Sequence, residues 1–158
     1  MEILLIVITL LLTSLLAGIF FAFSIAVNGG LSRLDDKHYL LAMKHINKVI
    51  LNPVFMVTFM GPVILLPLMA FLYGGGFNEF SFWLYALAAM AYFGTFIITI
   101  AGNVPLNERL EKFAIDTAES TQISQMRHVY EKPWNRLHAI RTVLAILSVV
   151  LVSVTTLI

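Results

Sequence analysis

Cysteine is absent from all 158 residues. That excludes disulfides, thiolate-bound zinc, iron–sulfur clusters and thiol catalysis. Charge is scarce: 12% of residues are charged, where a soluble domain carries about 25%. No basic cluster is interleaved with aromatics on a polar face, so nothing points to nucleic acid. There is no Walker loop, nucleophile elbow, dinucleotide fingerprint, H-E-x-x-H, Glu-x-x-His pair or His triad within one helix. Apolar residues, by contrast, make up 59% of the chain, with a mean hydropathy of +0.90. Long apolar stretches set the class, that of an integral membrane protein.

Four runs are long enough to cross about 30 Å of hydrocarbon: 3–27, 50–73, 80–102 and 135–158. A signal peptide would need a basic start and a shorter apolar core. Glu2 is the charged side chain near the start, so the first run is expected to be a retained span. Residues 1–158 show no repeat, low-complexity segment or boundary and are expected to form one all-α domain. Its expected architecture is a four-helix transmembrane bundle with short amphipathic connecting helices.

All ten Lys and Arg fall in two places. Arg33, Lys37, Lys44 and Lys48 lie between runs one and two. Arg109, Lys112, Arg127, Lys132, Arg136 and Arg141 lie between runs three and four or just inside the fourth. The positive-inside rule then places both long connections in the cytoplasm and both termini outside. "LDDKHYLLAMKHINKVI" and "ESTQISQMRHVYEK" each have one apolar face and are expected as interfacial helices, the first capped by Asp35 or Asp36. "GGG" at 74–76 marks a tight outer turn. Pro62 and Pro67 remove backbone donors inside the second span and are expected to leave room beside it. Gly18, Gly61, Gly94 and Gly102 permit close helix contacts within the chain or in a homo-oligomer.

Unusual polar residues gather at the basic end. Asn28 ends the first span, and Asn103 and Asn107 flank Pro105 at the end of the third. Trp134, His138 and Arg141 share one face of the fourth at i, i+4 and i+7. His45 and Asn52, seven apart and on one face of a continuous helix, approach from the first connection. Several have plainer readings: Asn52 caps a helix starting at Pro53, Asn103 caps one after Pro105, and His45 is solvated beside lysines. Arg141 can snorkel to phosphate, but an ionisable group inside a span also points to function, with Glu108 and Glu111 as its available protein partners. His45 and His138 could supply two imidazole ligands to haem or copper, a reading that lacks any spacing motif.

"NVPLNERL" followed by "WNRLHAIRT" resembles the anthrone-oxygenase-like family of small four-span membrane proteins. "GIFFAFSIAVNGGLSRL" and "AMKHINKVILNPVF" are similar to its first half, so the likeness covers nearly the whole chain. The N-x-P-x-N and W-x3-H-x2-R pair is its most specific part. The family pattern marks Asn47, Asn52, Pro53, Asn103, Pro105, Asn107, Trp134, His138 and Arg141. The resemblance implies oxygen-dependent oxidation of a planar phenolic or anthrone-like substrate, without an evident cofactor or metal. In that chemistry His138 would be the base, and Arg141 and Asn103 would stabilise the oxyanion. Trp134 would stack on the ring system, with Asn107, Asn52, Asn47 and Asn28 around the ligand.

Three other readings stand beside this one. The same pocket could bind or transport a quinone-like or lipidic ligand without turnover. The protein could be a haem- or metal-binding redox protein. Or the Trp134 face could only lock the last helix in place. Membrane lipids and a small apolar ligand are the expected partners.

Overall fold

The computed structural model describes residues 2–157. In chain order the elements are α1 (Glu2–Ala22), a π-turn (Phe23–Val27), α2 (Asn28–Leu31), α3 (Asp36–Val49), α4 (Pro53–Tyr73), α5 (Phe80–Ile98), a second π-turn (Thr99–Asn103), α6 (Val104–Lys112) and α7 (Ser120–Thr155). The described residues contain no strand. Four continuous helices, Ile3–Leu31, Pro53–Tyr73, Phe80–Lys112 and Ser120–Thr155, are long and apolar enough to cross a membrane. The chain is an integral multi-pass membrane protein. α1 packs on α4 and α7, and α5 packs on the same two helices from the other side.

Inside a membrane every backbone group must find a partner within the protein. Pro62 has no N–H for the carbonyl of Thr58, one turn earlier. Tyr92 on α5 compensates, its hydroxyl lying 3.2 Å from Thr58 O and 3.0 Å from Phe59 O. The proline thus becomes a contact between α4 and α5. An open apolar groove of about 550 Å³ runs beside Pro67, between Val63 on α4 and Ala89, Phe93 and Ile97 on α5. Gly102 and Gly61 make close approach possible within the chain. A Cβ on Gly102 would stand 2.9 Å from the Leu137 side chain, and one on Gly61 2.7 Å from that of Leu12. At the opposite end the chain reverses through Gly75 and Gly76, with φ of 73° and 96°, a region that favours glycine.

The connections depart from the expectation. α7 was expected to begin near residue 135, preceded by a separate interfacial helix. Instead it runs unbroken for 36 residues through Pro133. At 1.5 Å per residue that is roughly 54 Å, well beyond the hydrocarbon thickness. Its first four turns therefore project past the membrane. Ile123, Met126, Tyr130 and Trp134 on that projection bury against Tyr39, Leu40 and Met43 of α3 and Leu110 of α6. This is a second core, and the apolar faces meet one another instead of lying along lipid. Arg127 fastens it: its guanidinium donates to Leu34 O (2.7 Å), Ser32 O (2.9 Å), Asp36 (3.0 Å) and Glu131 (2.7 Å), and lies 4.5 Å from the Tyr39 ring centroid. Lys44 Nζ donates to Glu111 O at 2.7 Å, tying α3 to the end of α6.

The caps follow the sequence. Asp35 accepts from the His38 backbone N–H at 3.1 Å and starts α3. The His38 side chain, 2.6 Å away, holds its carboxyl below the usual carboxylate range. Asn52 starts α4: its Oδ1 accepts from Phe55 N at 3.0 Å and its Nδ2 donates to Val49 O at 3.1 Å. Asn52→Ala is expected to lower stability by about 1 kcal/mol, read as a fall in thermal unfolding temperature in detergent, and Asn52→Asp to restore it. A loss of ligand affinity without loss of stability would return Asn52 to the site.

Candidate functional site

At the basic end the four long helices do not close fully. A cavity of about 440 Å³ lies there, within the range of small-molecule sites. Its apolar walls include Ile19, Phe20 and Phe23 from the first helix and Ile50, Leu51 and Phe55 from the start of α4 and the turn before it. Thr99, Val104 and Asn107 line the side of the third helix, and Trp134, His138 and Arg141 that of the fourth. Lys48, Glu108 and Glu111 are exposed and form the rim, with Asn47 on the lining just beneath.

Of the residues singled out in the sequence, Asn47, Asn107, Trp134, His138 and Arg141 share this cavity. Asn28, Asn52, Asn103 and His45 are not on its lining. Asn52 is the α4 cap. His45 is exposed while His138 is buried, so the two imidazoles do not face one space. Among the described residues there is no group of three or more His, Asp or Glu placed to hold a metal ion.

Asn103 differs from its expected role. It makes no cap bond, because the helix continues from α5 into α6 through the second π-turn. Pro105 cannot donate to the preceding turn, and the π-turn sits where that bond is missing. Buried there, Asn103 sends Nδ2 to Trp134 O at 3.2 Å, while its Oδ1 has no partner among the described residues. Trp134 O belongs to the turn of α7 that also carries His138, so Asn103 fixes that turn from outside the cavity.

Arg141 is the centre of the site. It is buried, with 7% of its surface exposed. Glu108 and Glu111, its expected partners, stay at the rim. No carboxylate of the described residues pairs with it. Instead Nη1 donates to Thr99 Oγ1 at 3.2 Å, and Nε and Nη2 both reach His138 Nδ1, at 3.2 and 3.0 Å. The guanidinium carbon lies 4.2 Å from the Phe20 ring centroid and 5.3 Å from that of Trp134. Ring faces attract cations, and more strongly away from water.

These contacts settle the His138 tautomer. A guanidinium only donates, so Nδ1 is the acceptor and Nε2 carries the hydrogen. Nε2 then donates to Phe20 O at 3.0 Å, joining α7 to α1. One face of Trp134 is stacked on His138, with centroids 4.9 Å apart and planes 10° from parallel. That face is unavailable to a ligand. The indole N–H donates to Asn107 Oδ1 at 2.9 Å, and the Tyr130 hydroxyl donates to the same oxygen at 3.0 Å.

Phe20, Thr99 and Tyr130 were not singled out from the sequence as site residues. Tyr130 had a signal: it stands four residues before Trp134 and extends the same face. Thr99 likewise precedes Asn103 by four. Phe20 gave none, since its contribution is a backbone carbonyl and a ring face in an unbroken apolar run.

A family model described as anthrone oxygenase matches residues 55–151, more than half of the chain and all of the Asn103–Arg141 constellation. No curated protein and no solved structure matches the chain.

His138→Phe should strand the Phe20 carbonyl and the Arg141 donors, at about 1–3 kcal/mol for each group left without a partner. His138→Gln, which can accept and donate at once, should keep most of the stability. Thermal unfolding in detergent separates the two, and nitrogen-15 spectra should show Nε2 protonated and Nδ1 bare. Equal stability of both variants would show that the imidazole bonds are not holding the site.

Proposed function

The chain belongs to the anthrone oxygenase family, and from that footing we propose that it oxidises a planar, anthrone-like phenolic compound with molecular oxygen inside this cavity. The observation that carries the reading is Arg141, a buried cation on the cavity lining with no carboxylate partner among the described residues. Such a charge favours an anion more than a neutral ligand, because few water molecules compete and no carboxylate of the described residues is its counter-ion.

An anthrone has one carbonyl and, across the central ring, an acidic CH2 group. The substrate oxygen takes the guanidinium N–H groups that otherwise point at His138 Nδ1. That exchange exposes the Nδ1 lone pair, which accepts a proton from the CH2 group as the negative charge moves onto the oxygen beside Arg141. The electron-rich anion adds oxygen at the ring carbon, and the imidazolium proton completes a hydroperoxide. Removal of the second hydrogen from that carbon breaks the O–O bond and leaves a carbonyl and water. The sum is anthrone plus O2 giving anthraquinone plus H2O, with no resident cofactor or metal taking part. Thr99 holds the guanidinium, and Asn103 holds the turn that carries His138.

Non-catalytic binding or transport of a quinone-like ligand is the second reading. It is favoured by the engagement of both His138 nitrogens, which leaves no ready base before a ligand arrives. By the positive-inside rule the cavity faces the cytoplasm in either case.

Purified protein in nanodiscs with anthrone decides between the two. Catalysis consumes one O2 per anthrone above the rate in empty nanodiscs. Arg141→Met should reduce the rate by about 100-fold or more while preserving the fold, since an apolar side chain of similar size often replaces a buried charge without loss of stability. His138→Ala should fall to the empty-nanodisc rate. Wild-type protein that binds anthrone but does not exceed that rate would leave the binding reading in place of catalysis.

A further inference from the structure

The orientation of the Asn107 amide is fixed by chemistry. An indole N–H and a donating phenol both need an acceptor, so the atom they share is the amide oxygen. The phenol cannot donate elsewhere at the same time, and it accepts in turn from Asn47 Nδ2 at 3.0 Å. A carbonyl oxygen has two lone pairs, and both are occupied here. The Asn107 Nδ2 group, with its two N–H donors, therefore lies on the other side of the amide. Asn107 is half-buried and lines the cavity, and its Nδ2 makes no hydrogen bond to another described residue.

Where that donor group faces the cavity that Asn107 lines, the cavity has two donor sets. Arg141 stands against the Trp134 ring, and Asn107 holds the indole nitrogen of the same residue. One tryptophan separates them, and apolar Ile19, Phe23 and Phe55 form other parts of the lining. A ligand that satisfies both ends has a flat apolar middle and an oxygen acceptor on each side. Anthrone meets only one of these conditions, since it has a single carbonyl. The quinone meets both.

We propose that Asn107 is a further catalytic residue, the donor to the oxygen atom added during the reaction, so that the cavity recognises a ring system with two opposed carbonyls. This rests on the oxidation reading above. As the ring carbon opposite the substrate carbonyl takes up oxygen, the Asn107 amide donates to the bound oxygen while Arg141 holds the first one. Arg141 thus serves the oxygen present from the start, and Asn107 the one gained.

The test compares anaerobic binding of anthrone and 9,10-anthraquinone in nanodiscs. The reporter is quenching of Trp134 emission in a Trp83→Phe background, which leaves one tryptophan. One additional hydrogen bond corresponds to about tenfold tighter binding of the quinone. Asn107→Asp keeps an oxygen for Trp134 and Tyr130 but replaces both donors with an acceptor. It should bring the quinone-to-anthrone preference to about one or below, the ratio cancelling any common effect of the new charge. Infrared spectra of quinone bound to the unsubstituted site give a readout that needs no Asn107 variant, with both carbonyl bands shifted down. A single shifted carbonyl, or a preference that survives Asn107→Asp, overturns the assignment of Asn107 and leaves the oxidation reading standing. Failure of the quinone to bind overturns the assignment of Asn107 alone, and failure of anthrone to bind overturns both.

Discussion

A cation buried without a carboxylate is the constraint on which the site depends. A guanidinium in a low-dielectric setting must be stabilised by whatever touches it, and the described groups in contact with Arg141 are all neutral. Two ring faces, a threonine hydroxyl and an imidazole lone pair share the work. Each of these has only one useful orientation. The lone pair sets the His138 tautomer, and the tautomer sends a donor to the Phe20 carbonyl. His138 in turn stacks under Trp134, whose N–H selects the Asn107 oxygen and through it orients Tyr130 and Asn47. One charge thereby fixes side chains on α1, α3, α6 and α7 and on the π-turn between α5 and α6.

Breaks in helix regularity make that network reachable. Both π-turns fall at the basic end, and Thr99 and Asn103 bound the second one. A π-turn widens the helix locally and shifts the faces of the residues that follow it. The shift lets Thr99 serve Arg141 while Asn107, two turns later, serves Trp134. Pro105 explains why the break occurs here, because it removes a donor that a regular helix would use. Pro62 shows the same economy deeper in the protein, where Tyr92 takes up the carbonyl a proline leaves bare.

The four spans and the candidate face of α7 were legible in the sequence, for simple reasons. Apolar length is a direct physical requirement of crossing a membrane, and Trp134, His138 and Arg141 recur at helical spacing whatever surrounds them. The Asn52 cap was legible too, since Asn before Pro at a helix start acts through local geometry alone. What failed to show depended on partners distant in sequence. Residues 120–133 look amphipathic whether their apolar face meets lipid or another helix, and only the presence of α3 decides. Asn103 before Pro105 looks like a cap unless the helix is known to continue. Glu108 and Glu111 looked like partners for Arg141 because sequence shows charge but not depth. Phe20 acts through its carbonyl, and no side-chain pattern announces a backbone atom.

On the oxidation reading, the same constraint would suit the cavity to oxygen chemistry. An anion reacts with oxygen most readily when it is electron-rich and unprotonated, yet an apolar space normally raises the cost of forming it. A fixed guanidinium reverses that preference at one point while leaving the remaining walls apolar. Oxygen is itself apolar and enters hydrocarbon more easily than water does, so the walls that exclude water admit the second reactant. A carboxylate partner for Arg141 would remove the advantage, because the substrate anion would have to displace it. Neutral acceptors hold the guanidinium in place without satisfying its charge. His138 fits this role better than an acid would: it keeps Arg141 oriented in the empty cavity, and on the oxidation reading it would give up the contact to a stronger acceptor. On the oxidation reading, holding a cation ready and receiving a proton would be two stages of one rearrangement, and the engagement of both ring nitrogens in the empty cavity is consistent with it.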